Sequence, residues 1–594
     1  MDYSAWASLP AVFYHQAARL ADRNFLWDKR NGAFRPRTWH AVERDVTNLA
    51  KGLGALGLEP GERIVLVSEN RPEWLIADVG IMAAGGITVP AYTTSTVSDY
   101  RHILTDSGAV GVIVSTDALA RRVLPATIEA PDCKWCIVID EMTLGQSATL
   151  DLHQWDDVLA KGAADPQDVA VKVDQIKRGD TACFIYTSGT GGAPKGVMLS
   201  HGAILCNCMG AHALLEELGL EDEVFLSFLP LSHAYEHTAG QFFPMSIGAE
   251  IYYCPGVEQL LPSLAEARPT IMTAVPRLYE TMYLRILRGV GKQSPLKQRL
   301  FHLAVDLGRK RYRDPGSLSL LERIQDAIVE RLVRGKVRGQ FGGRLKAMVS
   351  GGAALNPDIG EFFLALGLPI LQGYGQSEAA PVISANPPSR VKIDTVGPPL
   401  KGVEVRIAPD GEVLVRGELV MQGYWHNEEA SEAALKDGWL HTGDMGELDA
   451  DGYLKITDRK RDILVLSGGD NVSPARVEGF LTLRPEVHQA MVFGDKRPHL
   501  VALVVPDETF LAEFAKARGA APDLAKFKDD EELRAAIGGV IDQVNRGLSN
   551  LEKVRRFAIA PEPFTVDNEM MTPTLKIRRH RIIQVYGDTL RALY

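Results

Sequence analysis

YTSGTGGAPKG, running from Tyr186 to Gly196, packs two threonines, a serine, three interior glycines and one lysine into a single loop. Glycines let backbone N–H groups come close to an anion, hydroxyls add donors, and Lys195 supplies a mobile positive charge, so the composition suits the oxygens of a nucleoside triphosphate. Upstream, Ala182 to Tyr186 reads as a short buried strand; downstream, Ile204, Cys208, Ala211 and Leu215 recur at helical spacing. The pattern predicts a loop joining a strand to a helix. A Walker A loop is excluded on spacing, because Lys195 stands between Pro194 and Gly196 and no Gly-Lys-Ser/Thr triplet follows. The alternative is a solvated glycine-rich turn, a common form of punctuation.

Further segments carry chemistry-bearing residues: PLSHAYEH (Pro230 to His237), SGGAAL (Ser350 to Leu355), GYGQSE (Gly373 to Glu378), HTGD (His441 to Asp444), DRKRD (Asp458 to Asp462) and TPTLKIRR (Thr572 to Arg579). Singly, each has an ordinary reading. A lone Glu after a turn decorates a surface, a Tyr packs in a core, and an Asp and an Arg at a strand end are a turn cap and a solvated charge. The run Lys576, Arg578, Arg579, Arg581 reads as a solvated basic face. Together and in this order, the segments resemble the adenylate-forming superfamily of acyl-CoA synthetases, luciferases and peptide-synthetase adenylation domains. The resemblance spans nearly the whole chain and is most specific to the long-chain fatty acyl-CoA synthetases, through the DRKRDILVLSGGDNVSP stretch, the NEMMTPTLKIRR ending and the long helical insertion after Pro276-Arg277.

The resemblance implies a set of site residues. Thr187, Ser188, Gly189, Thr190 and Lys195 would hold the ATP phosphates; Gly191 stands where the family carries a second threonine, so no contact is carried onto it. Glu378, with Thr187, would hold Mg²⁺, whose preference for hard oxygen and retained water needs no protein cage. Gly373, Gly375 and Ser377 would border the nucleotide around Tyr374, which would stack on adenine, while Gly351, Gly352 and Ala353 would let the backbone approach the purine edge. Asp444 would accept the ribose hydroxyls and Arg459 would hold the ribose from the other side. Lys576 would stabilise the charge that builds on phosphorus-bound oxygens as a carboxylate attacks the α-phosphorus. The catalytic set is thus Lys576, Glu378 and Thr187. His233, in PLSHAYEH, is a candidate for the acyl pocket, with a satisfied structural histidine as the alternative.

No side-chain nucleophile is required. The substrate carboxylate attacks ATP, and the CoA thiol then attacks the mixed anhydride, so positioning and charge do most of the catalysis. The family turns a small C-terminal domain between the two steps about the residue matching Arg461; at Val465 some relatives carry lysine, and no CoA-step role is assigned there.

Composition fits this picture. The chain has 594 residues, 46% of them hydrophobic, enough for several domains. Strand signals at Arg63 to Ser68, Ile87 to Ala91, Val110 to Ser115 and Lys134 to Asp140 alternate with a helix starting at Pro72, giving an α/β class. The expected architecture is a large α/β N-terminal domain over 1–457, a hinge at 458–462 and a small mobile α+β C-terminal domain over 463–594, with strands near Val487 to Phe493 and Leu500 to Val505. Net charge is −10, which gives no sign of nucleic-acid binding. Yet residues 281–346 hold sixteen Lys or Arg against five Asp or Glu. Leu284, Ile286, Leu300, Leu303 and Leu307 sit at helical spacing there, so amphipathic helices with a basic face would meet anionic lipid, CoA phosphates or the protein's own acids. Six cysteines, including Cys133 and Cys136 in a CxxC, are expected to be reduced packing residues. The N-terminal stretch lacks a cleavable signal and no 18-residue apolar run exists, so the expectation is a cytoplasmic protein, peripheral on a membrane where the basic segment meets one.

The substrate expected is a long-chain fatty acid, with ATP and CoA as co-substrates. A hydrophobic tunnel would gain about 0.8 kcal/mol per buried methylene, which makes chain-length preference graded. The alternatives are a fatty acyl-AMP ligase serving a carrier protein, an adenylating ligase for another acid, and a lipid-binding scaffold without catalysis.

Overall fold

The computed structural model describes residues 2–141, 150–187, 193–460, 462–572 and 576–594. Val and Ile-rich runs bounded by turn residues become short strands that assemble two eight-stranded sheets. One has the order Gly423–Tyr424, Lys195–Ser200, Thr181–Thr187, Ile87–Pro90, Arg63–Val67, Gly111–Val114, Trp135–Val138, Asp151–Gln154. The other runs Val382–Ala385, Ile370–Gly375, Ala347–Ser350, Ile271–Ala274, Val224–Ser227, Glu250–Tyr253, Asn24–Arg30, Ala33–Thr38. Both are parallel in the middle; the first is antiparallel at one end and the second at both.

Helix Pro72–Ala83 is buried at every position, and His201–Leu215 at most of them. A helix apolar all round must be covered on every side, which places both within the layered core. The first is tied to the segment after Val224–Ser227 by a buried contact of 2.8 Å between Asp78 and His237. A smaller sheet of Glu404–Ile407, Glu412–Arg416, Leu435–Lys436, Trp439–Leu448 and Leu454–Arg459 follows. Beyond it, Val487–Phe493, Leu500–Pro506 and Val554–Ile559 form a separate three-stranded sheet with helices Pro474–Thr482, Glu531–Asn545 and Arg579–Arg591. The buried apolar clusters around that sheet draw their buried members only from residue 464 onward.

The strands and the helix expected between Arg63 and Asp140, and those at Val487 and Leu500, form within a residue or two of their expected bounds. The phosphate loop differs. It closes an antiparallel hairpin in which Thr187 pairs with Lys195 and Thr181 with Ser200. The helix begins only at His201, where the Ser200 hydroxyl accepts from the Ala203 N–H. Buried Val197 and Leu199 flank half-buried Met198, a two-residue alternation that makes this run a strand before the helical period takes over. The strand Leu454–Arg459 also extends past Thr457 and pairs Arg459 with Asp444, so the first two residues of the expected 458–462 hinge are still held by the large domain.

In the basic segment, helices Pro276–Gly291, Pro295–Arg313 and Leu320–Val329 form as expected. Lys310 meets Glu322 at 2.7 Å, Arg311 meets Asp326 at 2.8 Å and Arg309 lies 3.9 Å from Glu361. That part of the basic face therefore meets the protein's own acids. All six cysteines are buried and unpaired. No helix among the described residues is long and apolar enough to cross a membrane.

Candidate active site

The hairpin Thr181–Thr187 to Lys195–Ser200 sets Thr187 and Lys195 opposite each other at the base of the glycine-rich loop. Ser188, Gly189, Thr190 and Gly191 lie outside the described residues. The two ends of the loop are pinned. Tyr186 donates its hydroxyl to Asp106 at 2.6 Å, and His102 Nε2 donates to the Pro194 carbonyl at 2.7 Å. Trp425 adds its backbone N–H to the Gly196 carbonyl and its indole N–H to the Asp106 carbonyl.

Glu378 reaches the same place through one aromatic residue. The Tyr424 hydroxyl donates to Glu378 Oε1 at 2.8 Å, and Lys195 Nζ lies 4.9 Å above the centre of the Tyr424 ring. Tyr424 is positioned by the short strand Gly423–Tyr424, which pairs with Lys195–Ser200. Thr187, Lys195, Tyr424 and Glu378 thus form one linked group of oxygens and one cation. Among the described residues no three His, Cys, Asp or Glu cluster as a protein metal cage. A carboxylate with a nearby hydroxyl fits Mg²⁺ arriving on a polyphosphate, which brings most of its own ligands.

On the other side stands Asp444, itself buried. Its Oδ2 accepts from the Tyr374 hydroxyl at 2.6 Å and its Oδ1 from Arg459 Nε at 3.1 Å. Burial holds the Tyr374 phenol well above its ordinary value, and the Asp444 charge adds to this, so Tyr374 stays a donor. Burial disfavours the Arg459 cation, but Asp444 and Asp462 outweigh it and hold the guanidinium charged. Gly375 is required where it is: a Cβ there would lie 1.8 Å from the carbonyl oxygen of Pro381, which leads into the neighbouring strand Val382–Ala385. Gly373 precedes Tyr374 in the half-buried end of strand Ile370–Gly375, and half-buried Ser377 opens the short helical turn that follows it. Gly351 packs on the Tyr235 ring, while Gly352, at φ +85, and Ala353 are exposed at the end of strand Ala347–Ser350.

Lys576 enters from the C-terminal unit. Its side chain is open to solvent yet surrounded by protein in the cleft, and it feels Arg459, Asp444 and Glu378 together. Desolvation first, and then Arg459, push its ammonium down to about 8. Its basic neighbours are engaged elsewhere: Arg579 binds Glu478 at 2.7 Å and the Val492 carbonyl, and Arg581 meets Glu569 at 3.1 Å. His233 lies beside Lys576. Burial, then the Lys576 charge, lower it to about 4, so it is neutral, and its Nδ1 accepts from the Tyr235 N–H at 3.2 Å, leaving the proton on Nε2. Arg461 lies outside the described residues. Tyr424, Asp106 and His102 carry no motif that marks them in the sequence.

A large α/β unit followed by a separate small C-terminal unit is the architecture of the nucleotide-dependent, adenylate-forming enzymes. The AMP-binding enzyme family matches residues 13–425 and its C-terminal domain family residues 461–594, and the chain belongs to the AMP-binding enzymes, in the long-chain acyl-CoA synthetase family. It is similar to the long-chain-fatty-acid–CoA ligase FadD15 of Mycobacterium bovis, with 36% identity over 574 residues covering 95% of this chain and 93% of that one. The peroxisomal long chain acyl-CoA synthetase 6 of Arabidopsis thaliana is 30% identical over 624 residues, covering 100% and 87%. Among solved structures, the anthranilate CoA ligase AuaEII in complex with anthranoyl-AMP matches with a TM-score of 0.74 at 22% identity over the whole of both chains. At that identity the likeness concerns the fold.

Proposed function

We propose that this chain is an AMP-forming long-chain fatty acid–CoA ligase. A carboxylate oxygen of the fatty acid attacks the α-phosphorus of ATP; the new oxygen–phosphorus bond gives acyl-AMP and pyrophosphate leaves. The CoA thiol then attacks the acyl carbonyl, loses its proton, and AMP departs with the electron pair of the broken carbon–oxygen bond. The observation that supports this reading is the pair of held carboxylates, Asp444 with Tyr374 and Arg459, and Glu378 with Tyr424, with the Lys576 ammonium of the C-terminal unit within electrostatic range of both. The names of the relatives support the fatty acid and CoA.

In this scheme Thr187 and Lys195, with the loop they bracket, hold the β- and γ-phosphates, Tyr374 stacks on adenine beside the Gly351 to Ala353 backbone, and Asp444 with Arg459 holds the ribose. Glu378 and Thr187 would hold Mg²⁺, which when bound neutralises phosphate charge. Lys576 places an ammonium where charge grows on the phosphoryl oxygens, and being fixed there beforehand it needs no reorganisation. The part of the 458–462 stretch that follows Arg459, including Arg461, serves as the hinge on which the C-terminal unit turns to clear the carbonyl for CoA. Neutral His233, with Nε2 protonated, borders the carboxylate end of the acyl pocket.

The test is pyrophosphate release across acids of increasing chain length, with and without CoA. Release with palmitate, and thioester only when CoA is added, is expected. No pyrophosphate with any acid would remove the enzymatic reading, and acyl-AMP that accumulates with CoA present would transfer it to a carrier-protein acceptor.

A further inference from the structure

Helix Leu320–Val329 and the wider turn Glu330–Arg334 that continues it carry an apolar ridge that none of the described residues covers. Leu320 is 79% exposed, Leu321 66%, Ile324 61%, Ile328 49% and Leu332 47%. Four of the five fall at steps of four residues, one line along a helical surface. The segment is turned inside out with respect to charge. Its acids face the body of the protein, where each is engaged: Glu322 caps Ser319 and meets Lys310, Asp326 meets Arg311 and Arg334, and Glu330 meets Arg334 and Arg338. Arg334 itself is fully buried and donates to the carbonyls of Ala304 and Ala365, which fixes the segment against helix Pro295–Arg313 and so fixes which face looks outward. Arg323, Arg331 and Lys336 are exposed, and none has an ion-pair partner among the described residues.

We propose that this face lies in the interface of an anionic bilayer, with Leu320, Ile324, Ile328 and Leu332 below the headgroups and Arg323, Arg331 and Lys336 at the lipid phosphates. An amphipathic helix with an apolar ridge bordered by cations is the form that binds such surfaces. Charge selects this occupant over a second copy of the chain: two such faces brought together would oppose arginine to arginine, with every acid of the segment already engaged. The basic residues that matter are not Arg309, Lys310 and Arg311, which are bound internally. Lipid binding at this face does not depend on the ligase reading, although a bilayer is where a long-chain acid resides.

The experiment is sedimentation of the full chain with vesicles of phosphatidylcholine alone or with phosphatidylserine. The wild type should bind the anionic vesicles and not the neutral ones. Arg323→Gln with Arg331→Gln should weaken binding about 30-fold, the value for two cations at about 1 kcal/mol each. Ile324→Asn with Ile328→Asn should weaken it at least tenfold. Both pairs are exposed, and unchanged pyrophosphate release from a short, soluble acid would show them folded; if the wild type itself releases none, thermal melting replaces that check and only the ligase reading fails. Wild-type binding that survives both pairs, or no binding to anionic vesicles, would overturn the proposal. So would a wild-type dimer that Ile324→Asn with Ile328→Asn dissociates while vesicles are ignored.

Discussion

Lys576 shows what one residue contributes when its surroundings are set. Its ammonium, pushed down to about 8, is protonated below that value and loses its charge as pH rises through it. The kcat/KM of adenylation should therefore fall above about pH 8, a limb that Lys576→Ala should abolish along with about 10²–10³-fold of the rate, near 3–4 kcal/mol for one preorganised contact. Thioester formation from supplied acyl-AMP should be nearly unaffected, and stopped-flow assay of the two half-reactions separates these outcomes. Glu378→Ala should raise the Mg²⁺ concentration needed for half-maximal pyrophosphate release, and Tyr424→Phe should do so to a smaller degree, since it removes only the hydroxyl held by Glu378; titration of Mg²⁺ at fixed ATP measures both. Lys195, Glu378, Asp444, Arg459 and Lys576 were legible because each stands in a short motif. Tyr424 was not, for it meets Glu378 across 46 residues, nor was Asp106, which meets Tyr186 across 80. Such pairs exist only once the sheets have formed.

Among the elements, periodicity found the buried strands but passed over Lys195–Ser200, whose brief alternation is hidden by the helical period that follows it. The segment Glu236–Phe242 was equally opaque. It forms a π-helix, and its first residue is a fully buried glutamate that accepts from Ser227 and Thr273 at 2.6 Å each. Gly240 leaves the room, since a Cβ there would lie 2.4 Å from the carboxylate. Burial raises Glu236 from 4.5 to about 7. A group shifted this way contributes its full stability below the unfolded value and loses it as pH rises through the folded one. Glu236→Gln should therefore gain on the wild type between pH 5 and pH 8; melting temperatures of both proteins across that range check it, and parallel curves would contradict it.

For the molecule as a whole, the sequence disclosed the α/β class and a second, smaller unit, while the way the two meet had to come from the fold. Part of their contact is polar and wet: Arg277 donates to the His488 carbonyl at 2.9 Å, and both residues are at least partly open to water. A solvent-exposed hydrogen bond of that kind can be exchanged for water at little cost, as a turning domain needs. Arg277→Cys with His488→Cys, joined by a short bis-maleimide, should hold the arrangement in which Lys576 reaches Asp444. Acyl-AMP should then form at near the normal single-turnover rate while thioester formation is lost; equal loss of both would argue against rotation between the steps.

That experiment profits from a property of the protein's own sulfur. Burial pushes Cys133 up to about 12 and Cys206 up to about 11, and Cys136, Cys183 and Cys208 are raised as well. At neutral pH these groups are almost wholly protonated and shielded, so neither alkylating reagents nor an activated acyl group finds a nucleophile there. A catalyst that makes a reactive mixed anhydride thereby spares these five thiols, and a thiol introduced at its surface becomes a chemical handle distinct from them.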